Sequence, residues 1–442
     1  MAGFAPPVPL EARPLAILLE LLQRVFASVG AFLVHPEGLM LLALSMALVT
    51  LQYRRVAALE QELYGLPRNR PWPLAADALV NGVVAGIGVS ALAAVLGIGL
   101  VQPAGGPMML SLLWLLALGL SLIHPRLICF AYGTSLLSLS YLLWGWPRVD
   151  VPGLTGLVAV MHLAEALLIA LSGDRCATPL TFGRPGQEPV PGFQLQRFWP
   201  VLLVLPVGVP LPESLAGPDT VELWPWWPLV RPDPALVEPG FYVLLPVVAI
   251  MGYGDLAIAN SPRQQATRSA LWLAAYSLTL LSLSVAASRL PFARWLAAIF
   301  SAAGHEAVLW LGIRAQLRGR PWLRRTPRGV VVLDALPGTP AAQAGLRPGS
   351  VILEVSGQPV SSREELHTAI QEAPAYMEIV FKDDDQLQSR RVPRPEGGLL
   401  DFGVILVPEP GDRPVALIGP DLWRGWAGRL FRRWRRGGRG AA

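Results

Sequence analysis

The stretch GVVVLDALPGTPAAQAGLRPGSVILEVSGQPVSSREELHTAI, residues 329–370, divides the chain in two. Its β-branched run Val330, Val331, Val332 suits a buried strand, and Pro337-Gly338-Thr339-Pro340 follows as a turn. Residues 341–344 make one helical turn that Gly345 ends from the C-cap position, before a second strand over residues 351–355 and a tight turn at Gly357-Gln358. Ser362-Arg363-Glu364-Glu365 has the S-x-x-E spacing that satisfies the free N–H groups of a first helical turn, so a helix opens there and runs to about residue 371. Residues 377–381 and 387–392, joined by the charged turn Lys382-Asp383-Asp384-Asp385, predict a closing hairpin. A unit of this size can hold a small core of its own.

Everything before Pro321 has a different character. The 442-residue chain is 53% apolar and only 15% charged, with a positive mean hydropathy, which predicts an integral membrane protein. A span needs roughly 20 mostly apolar residues. Windows near that length lie at residues 38–51, 78–101, 107–123, 127–144, 154–172, 241–258, 270–287 and 295–313. Two further segments leave the count open at about eight to ten. Residues 15–34 carry Glu20 and Arg24 and either span or lie in the interface; residues 198–211 are interrupted by Pro200, Pro206 and Pro210. The fold class is therefore a polytopic α-helical membrane bundle followed by a small β-rich α/β domain. We divide the chain into an N-terminal segment with an amphipathic or spanning helix (1–35), the bundle (36–315), the compact module (322–395), and an apolar patch with a basic aromatic tail (396–442). The N-terminus lacks the basic start and small-residue cleavage site of a secretory signal, so no removal is expected. Cys129 and Cys176 are too few for a disulfide framework and read as buried, inert thiols.

Arginines assign the sides, because cytoplasmic loops near span ends hold excess positive charge. Arg54, Arg55, Arg68 and Arg70 follow the first window, and Arg175, Arg184 and Arg197 follow residue 172, so both segments are expected inside. Residues 213–238 hold Glu213, Asp219, Glu222, Asp233 and Glu238 against Arg231, with Trp224, Trp226 and Trp227 suited to an interfacial belt, and are expected outside. After the final window come Arg314, Arg318, Arg320, Arg324 and Arg325, which place the module in the cytoplasm.

In its order of strands, Gly turns and short helix the module resembles a bacterial PDZ domain. The resemblance implies a peptide-binding function in which an extended ligand adds a strand to a sheet edge beside a helix and its carboxylate meets a loop of converging N–H groups. It maps that loop onto Pro327, Arg328, Gly329 and Val330, the strand onto residues through Val332, and the opposing helix face onto Leu366 and Ile370, which are equally readable as plain core residues. One departure is Gly349-Ser350, where the usual pattern has Gly-Asp; it removes a capping carboxylate and leaves the groove. Farther on, Trp423, Trp426 and Trp434 stand among Arg432, Arg433, Arg435 and Arg436, a composition suited to the anionic inner leaflet, with a solvated tail as the alternative.

Polar residues inside the apolar windows suggest chemistry and then withdraw it. His305-Glu306 resembles the H-E-x-x-H helix of site-2 intramembrane metalloproteases, in which two imidazoles one turn apart hold zinc. Here the second imidazole position is Leu309. His162 and Glu165 share one helix face, and with His305 and Glu306 they read either as polar pairs fixing helix packing or as a metal site. Packing is the expectation, with no metal and no cofactor. Gly252-Tyr253-Gly254-Asp255 resembles a potassium-channel filter but follows Ile250-Met251, without the filter's Thr, and reads as a helix break that lets Asp255 reach the interface or Arg263. No nucleotide loop, triad or cysteine-metal spacing is present, which argues against an enzyme.

Taken in order, HPEGLMLL (35–42), YRRVAALEQELYG (53–65), MHLAEALLIALSG (161–173), LPVVAIMGYGDLAIANSPRQ (245–264), AAGHEAVLWLG (302–312) and the module resemble the MinJ-like cell-division topological determinants. That resemblance implies a membrane adaptor at poles and septum, with DivIVA-like and MinD-like protein partners, membrane lipids around it and no nucleic acid. A site-2-type protease or inactive relative, and a transport or secretion component, are the alternatives.

Overall fold

The structure, a computed structural model, describes residues 13–101, 109–183, 188–209, 227–233, 236 and 241–417. Helices α1 (Arg13–Val34), α2 (Pro36–Tyr64) and α3 (Pro71–Leu96) lead into a two-residue strand, β1 (Leu100–Val101). Next come α4 (Met109–Ile123), a 3-10 turn (Pro125–Ile128), α5 (Phe130–Trp144) and α6 (Val151–Ser172). Three strands follow, β2 (Ala177–Gly183), β3 (Val190–Val209) and β4 (Phe241–Ala257), and then α7 (Pro262–Ala287) and α8 (Pro291–Arg318). Proline opens α2, α3, α6, α7 and α8, where its missing N–H costs nothing. Left-handed Gly65 and Gly97 end α2 and α3.

Helices α2, α3, α6, α7 and α8 are long and apolar enough to cross a membrane, so the chain is a multi-pass membrane protein with a mostly helical N-terminal region. At 15 residues each, α4 and α5 reach only about 22 Å. They form a hairpin whose tip, residues 124–129, packs against α6 and α8.

The windows at 198–211 and 241–258, read as helical spans from sequence, are strands. β3 and β4 pair antiparallel without a break from Phe193↔Ala257 to Val209↔Phe241. Pro200, Pro206 and Pro246 forbid helix along both segments, and the valine-rich runs between them favour extended backbone. Backbone at this depth needs every polar group matched inside the protein. The second edge of β3 pairs with β2 over residues 190–195 and with β1 at 207–208, and helices seal the stretch between. The Tyr53 hydroxyl accepts from Phe198 N–H (3.1 Å) and donates to Phe198 O (2.9 Å), and Ser90 Oγ accepts from Val204 N–H (2.7 Å). Pro200 and Pro206 share the parity of Phe198 and Val204, so their missing N–H groups fall on the edge where no acceptor is needed. Gly82 and Gly86 let α3 come so close that a Cβ would stand 2.1 Å from Pro200 O and 2.2 Å from Leu202 O. Gly252 to Asp255 lie in β4; Asp255 accepts from Ser269 Oγ (2.6 Å) and Gln265 Nε2 (2.8 Å), not from Arg263.

The C-terminal module contains β5 (Val330–Ala335), α9 (Pro340–Gln343), β6 (Val351–Val355), β7 (Gln358–Pro359), α10 (Arg363–Glu372), β8 (Tyr376–Asp383) and β9 (Gln386–Pro393). It continues through α11 (Leu399–Phe402) and β10 (Val404–Leu406). The last described strand, β11 (Ala416–Leu417), pairs with β2. The module's sheet runs β10-β5-β6-β8-β9, with β7 beside β6, so the fold unit passes the boundary expected at 395. Val332, Ile352, Leu366, Ile370, Phe381 and Phe402 fill its core. On the opposite face of the sheet, Val331, Leu333 and Val407 join the core of the bundle. Asp334 ion-pairs with Arg68 in the α2–α3 connection, and Trp322 N–H donates to Ile258 O (2.8 Å). The module thus sits at the end of the bundle that carries Arg68 and Arg70.

Candidate peptide-binding site

Neither edge of β5 is open. β6 pairs with it at Val330 and Val331, and β10 at Val332, Asp334 and Ala335. Val330 and Val332 therefore cannot receive a ligand strand, and exposed Pro327 and Arg328 with buried Gly329 are the lead-in to an interior strand rather than a carboxylate loop. Thr326 Oγ1 donates to Arg328 O (2.8 Å), and Gly329 (φ +86°) packs its backbone against Ile352. Resemblance placed the groove one strand too early because the strand supplying its edge comes last in this chain.

Among the described residues the sheet ends at β9 on one side and at β10 on the other, and β10 has no strand partner beyond β5. Leu336 N–H donates to Gly403 O (2.8 Å) and Val407 N–H to Val331 O (3.0 Å), so the backbone groups of Gly403 and Val407 face β5. By alternation those of Val404 and Leu406 face outward. Across from this edge lies α10. Leu366 and Ile370 are buried beneath it in the same core as Phe402 and Leu406, with half-buried Leu399 and Val404 beside them. Leu366 and Ile370 are core residues of the module, on the face of α10 turned toward β10.

The loop that leads into β10 turns at Gly398 (φ +67°) and Gly403 (φ +76°), a left-handed conformation that favours glycine. Gly397 N–H donates to Asp401 Oδ2 (2.9 Å) and Gly403 N–H to Leu400 O (3.1 Å). A Cβ on Gly398 would lie 3.2 Å from the His367 ring, so the loop closes against the C-terminal half of α10. His367 is held there by Gln371 (2.9 Å).

At the other end the chain crosses the start of α10. Arg363 N–H donates to Glu409 Oε1 (2.9 Å), and the Arg363 guanidinium grips both oxygens of Asp412 (3.1 and 2.6 Å). Burial works against the Asp412 charge, but these bonds outweigh it and hold the carboxyl below the usual range. The helix start is capped by Ser362 Oγ, which accepts from Glu365 N–H (3.2 Å). The Glu365 carboxylate turns to Ser361, whose hydroxyl and N–H (both 2.7 Å) lower its pKa. At the position where PDZ domains carry Asp, Ser350 Oγ accepts from Arg347 N–H (3.0 Å). The result is a backbone edge without a strand partner among the described residues, set beside α10 over apolar core residues, with an ion pair at one end.

The polar residues of the bundle regroup. His162 and His305 do not pair with Glu165 and Glu306; they meet each other, ring centroids 5.1 Å apart, with Cys129 between them. Glu306 pairs instead with Arg126 and accepts from Tyr132 (3.4 Å). Sequence reasoning missed Arg126 and Tyr132 and took Cys129 only as a buried, inert thiol. Arg126 was the available signal, a charge between two apolar windows. The tail residues Trp423, Trp426, Arg432, Arg433, Trp434, Arg435 and Arg436 lie outside the described residues.

The architecture is that of multi-pass membrane proteins with a small β-rich domain on one end of a helical bundle, and a PDZ-domain family model matches residues 331–382. The chain is similar to MinJ cell-division topological determinants. It is 26% identical over 306 residues to the probable cell division topological determinant MinJ of Lacticaseibacillus paracasei, covering 63% of this chain and 77% of that one. Against the cell division topological determinant MinJ of Bacillus subtilis it is 25% identical over 203 residues, 41% of this chain and 48% of the other. A shorter match, 55% over 47 residues, is to the magnetosome formation protease MamE of Magnetospirillum gryphiswaldense and covers 6% of that protein. Among solved structures, the PDZ domain of an SdrC-like protein from Listeria monocytogenes aligns with 19% of this chain and 93% of its own length, at 24% identity and a TM-score of 0.17.

Proposed function

We propose that the protein is a membrane-anchored adaptor of division-site selection, without catalytic activity. In this reading its PDZ module faces the cytoplasm and takes an extended C-terminal peptide along β10, between that strand and α10. The partners are DivIVA-like and MinD-like division proteins, recruited at poles and septum. The carrying observation is the backbone edge at Val404 and Leu406, without a strand partner beyond β5 among the described residues, over the core residues Leu366 and Ile370. The module's place beside Arg68 and Arg70 supports the cytoplasmic side. The basic tail contributes membrane contact, and the unit for recognition runs from about residue 322 through β10.

The test is a fluorescent fusion of the full chain imaged in dividing cells, wild type against Val404→Lys, whose half-exposed position lets the ammonium reach water while its stem lies beside α10. The expected outcome is septal and polar signal for wild type and even membrane staining for the variant at equal abundance. Even staining of both would remove the adaptor reading.

A further inference from the structure

We propose that the bundle binds one zinc(II) ion between Cys129, His162 and His305, at the tip of the α4–α5 hairpin. This inference is independent of the peptide groove. The three residues come from three elements: Cys129 caps α5, His162 lies about half-way along α6, and His305 about half-way along α8. Their ligand atoms lie within 4.8 Å of one another. Cys129 Sγ is 3.2 Å from His162 Nε2 and 3.7 Å from His305 Nε2. Zn–S and Zn–N bonds of about 2.3 and 2.0 Å at a tetrahedral angle separate sulfur from nitrogen by about 3.5 Å, between the two observed distances.

Hydrogen bonding behind the rings fixes which nitrogen is bare. His162 Nδ1 lies 2.8 Å from Val158 O, and a carbonyl can only accept, so that nitrogen carries the proton. His305 Nδ1 lies 3.2 Å from the Tyr132 hydroxyl, whose own hydrogen is directed to the Glu306 carboxylate, itself paired with Arg126. Nδ1 of His305 is therefore also the donor. Both Nε2 atoms then present lone pairs toward one sulfur, and a single S–H can satisfy only one of them. A cation satisfies both. The backing of each imidazole by a carbonyl or a carboxylate-linked hydroxyl is the arrangement that orients metal-bound histidines.

Binding releases the thiol proton, and water fills the fourth position. Cys, His and His suit zinc better than magnesium or calcium, which prefer oxygen ligands.

The test uses full-length protein in detergent, stripped with a chelator and titrated with Co²⁺ alone. Expected are one Co²⁺ per chain, visible d–d bands of a tetrahedral site, and a near-ultraviolet sulfur-to-cobalt charge-transfer band that Zn²⁺ displaces. Cys129→Ser should lose the charge-transfer band while Cys176→Ser keeps it. His305→Gln should weaken binding by more than the ~10–100-fold that follows loss of a ligand's hydrogen-bond partner. No saturable sulfur band in the wild type, or a band that survives Cys129→Ser, overturns the proposal. The wild-type titration decides the matter even if a variant fails to fold.

Discussion

Arg197 shows what one residue must do to stay inside this bundle. It is fully buried, ion-paired with Asp77 at 2.5 Å, and its guanidinium lies 5.6 Å from the rings of both Tyr53 and Trp199. Two of its nitrogens, Nε and Nη1, have no hydrogen-bond partner among the described residues, so the aromatic faces supply the remaining compensation. Removing the carboxylate leaves an uncompensated buried charge. Asp77→Asn should therefore destabilise the protein by about 3–5 kcal/mol, read as a lowered Tm by tryptophan fluorescence in detergent. In sequence, Arg197 was one more arginine on a cytoplasmic segment; nothing local to it signals that β3 turns its side chain into the core. Leu366 and Ile370 were legible as one helix face because of their periodicity, whereas the place of Val404 at the sheet's edge depended on a strand pairing of long sequence separation.

The same limit governs whole elements. The apolar middles of the long helices were readable but not their polar ends, since the window at 38–51 is α2 (Pro36–Tyr64) and that at 270–287 is α7 (Pro262–Ala287), whereas β5, β6, α10 and the β8–β9 hairpin, each set by local pattern, were readable to within about two residues. β3 and β4 were not, because a continuous apolar run fits a buried strand as well as a helix, and only Pro200, Pro206 and Pro246 argued for the strand. What permits a strand pair here is the small-residue stripe on α3. Gly82→Ala and Gly86→Ala should each lower Tm and the yield of folded protein, because the added methyl collides with strand carbonyls. Gly88, on the same helix with nothing within 4 Å of its would-be Cβ, is the control. Gly88→Ala should be neutral or stabilising by up to about 1 kcal/mol, and equal losses at all three positions would show that helix propensity rather than close approach decides.

At the scale of the whole molecule, the sheet of the module is shared property: one face closes its own core and the other completes that of the bundle. The Arg68–Asp334 pair lies at this junction. Burial pushes the Asp334 carboxyl up, and Arg68 pulls it back by less. With the folded pKa above the unfolded one, the contribution of Asp334 to stability is fully present below the unfolded pKa and lost as pH rises through the folded value. Asp334→Asn, which never ionises, should gain on the wild type as pH increases, seen as a Tm difference that grows from acid to neutral buffer. A difference independent of pH would sink this account of the junction.

The strand pair also constrains how the chain can be made. A helix leaving the insertion machinery satisfies its own backbone and can wait in lipid, but β3 cannot, since its N–H and C=O groups are met by β4, which is synthesised later, and by Tyr53 and Ser90, which are synthesised earlier. Biogenesis must therefore hold α2 and α3 ready as a template and shelter residues 190–209 until residues 241–257 arrive. A chain arrested between those two segments would expose an unpaired ribbon edge at membrane depth and invite surveillance by membrane proteases.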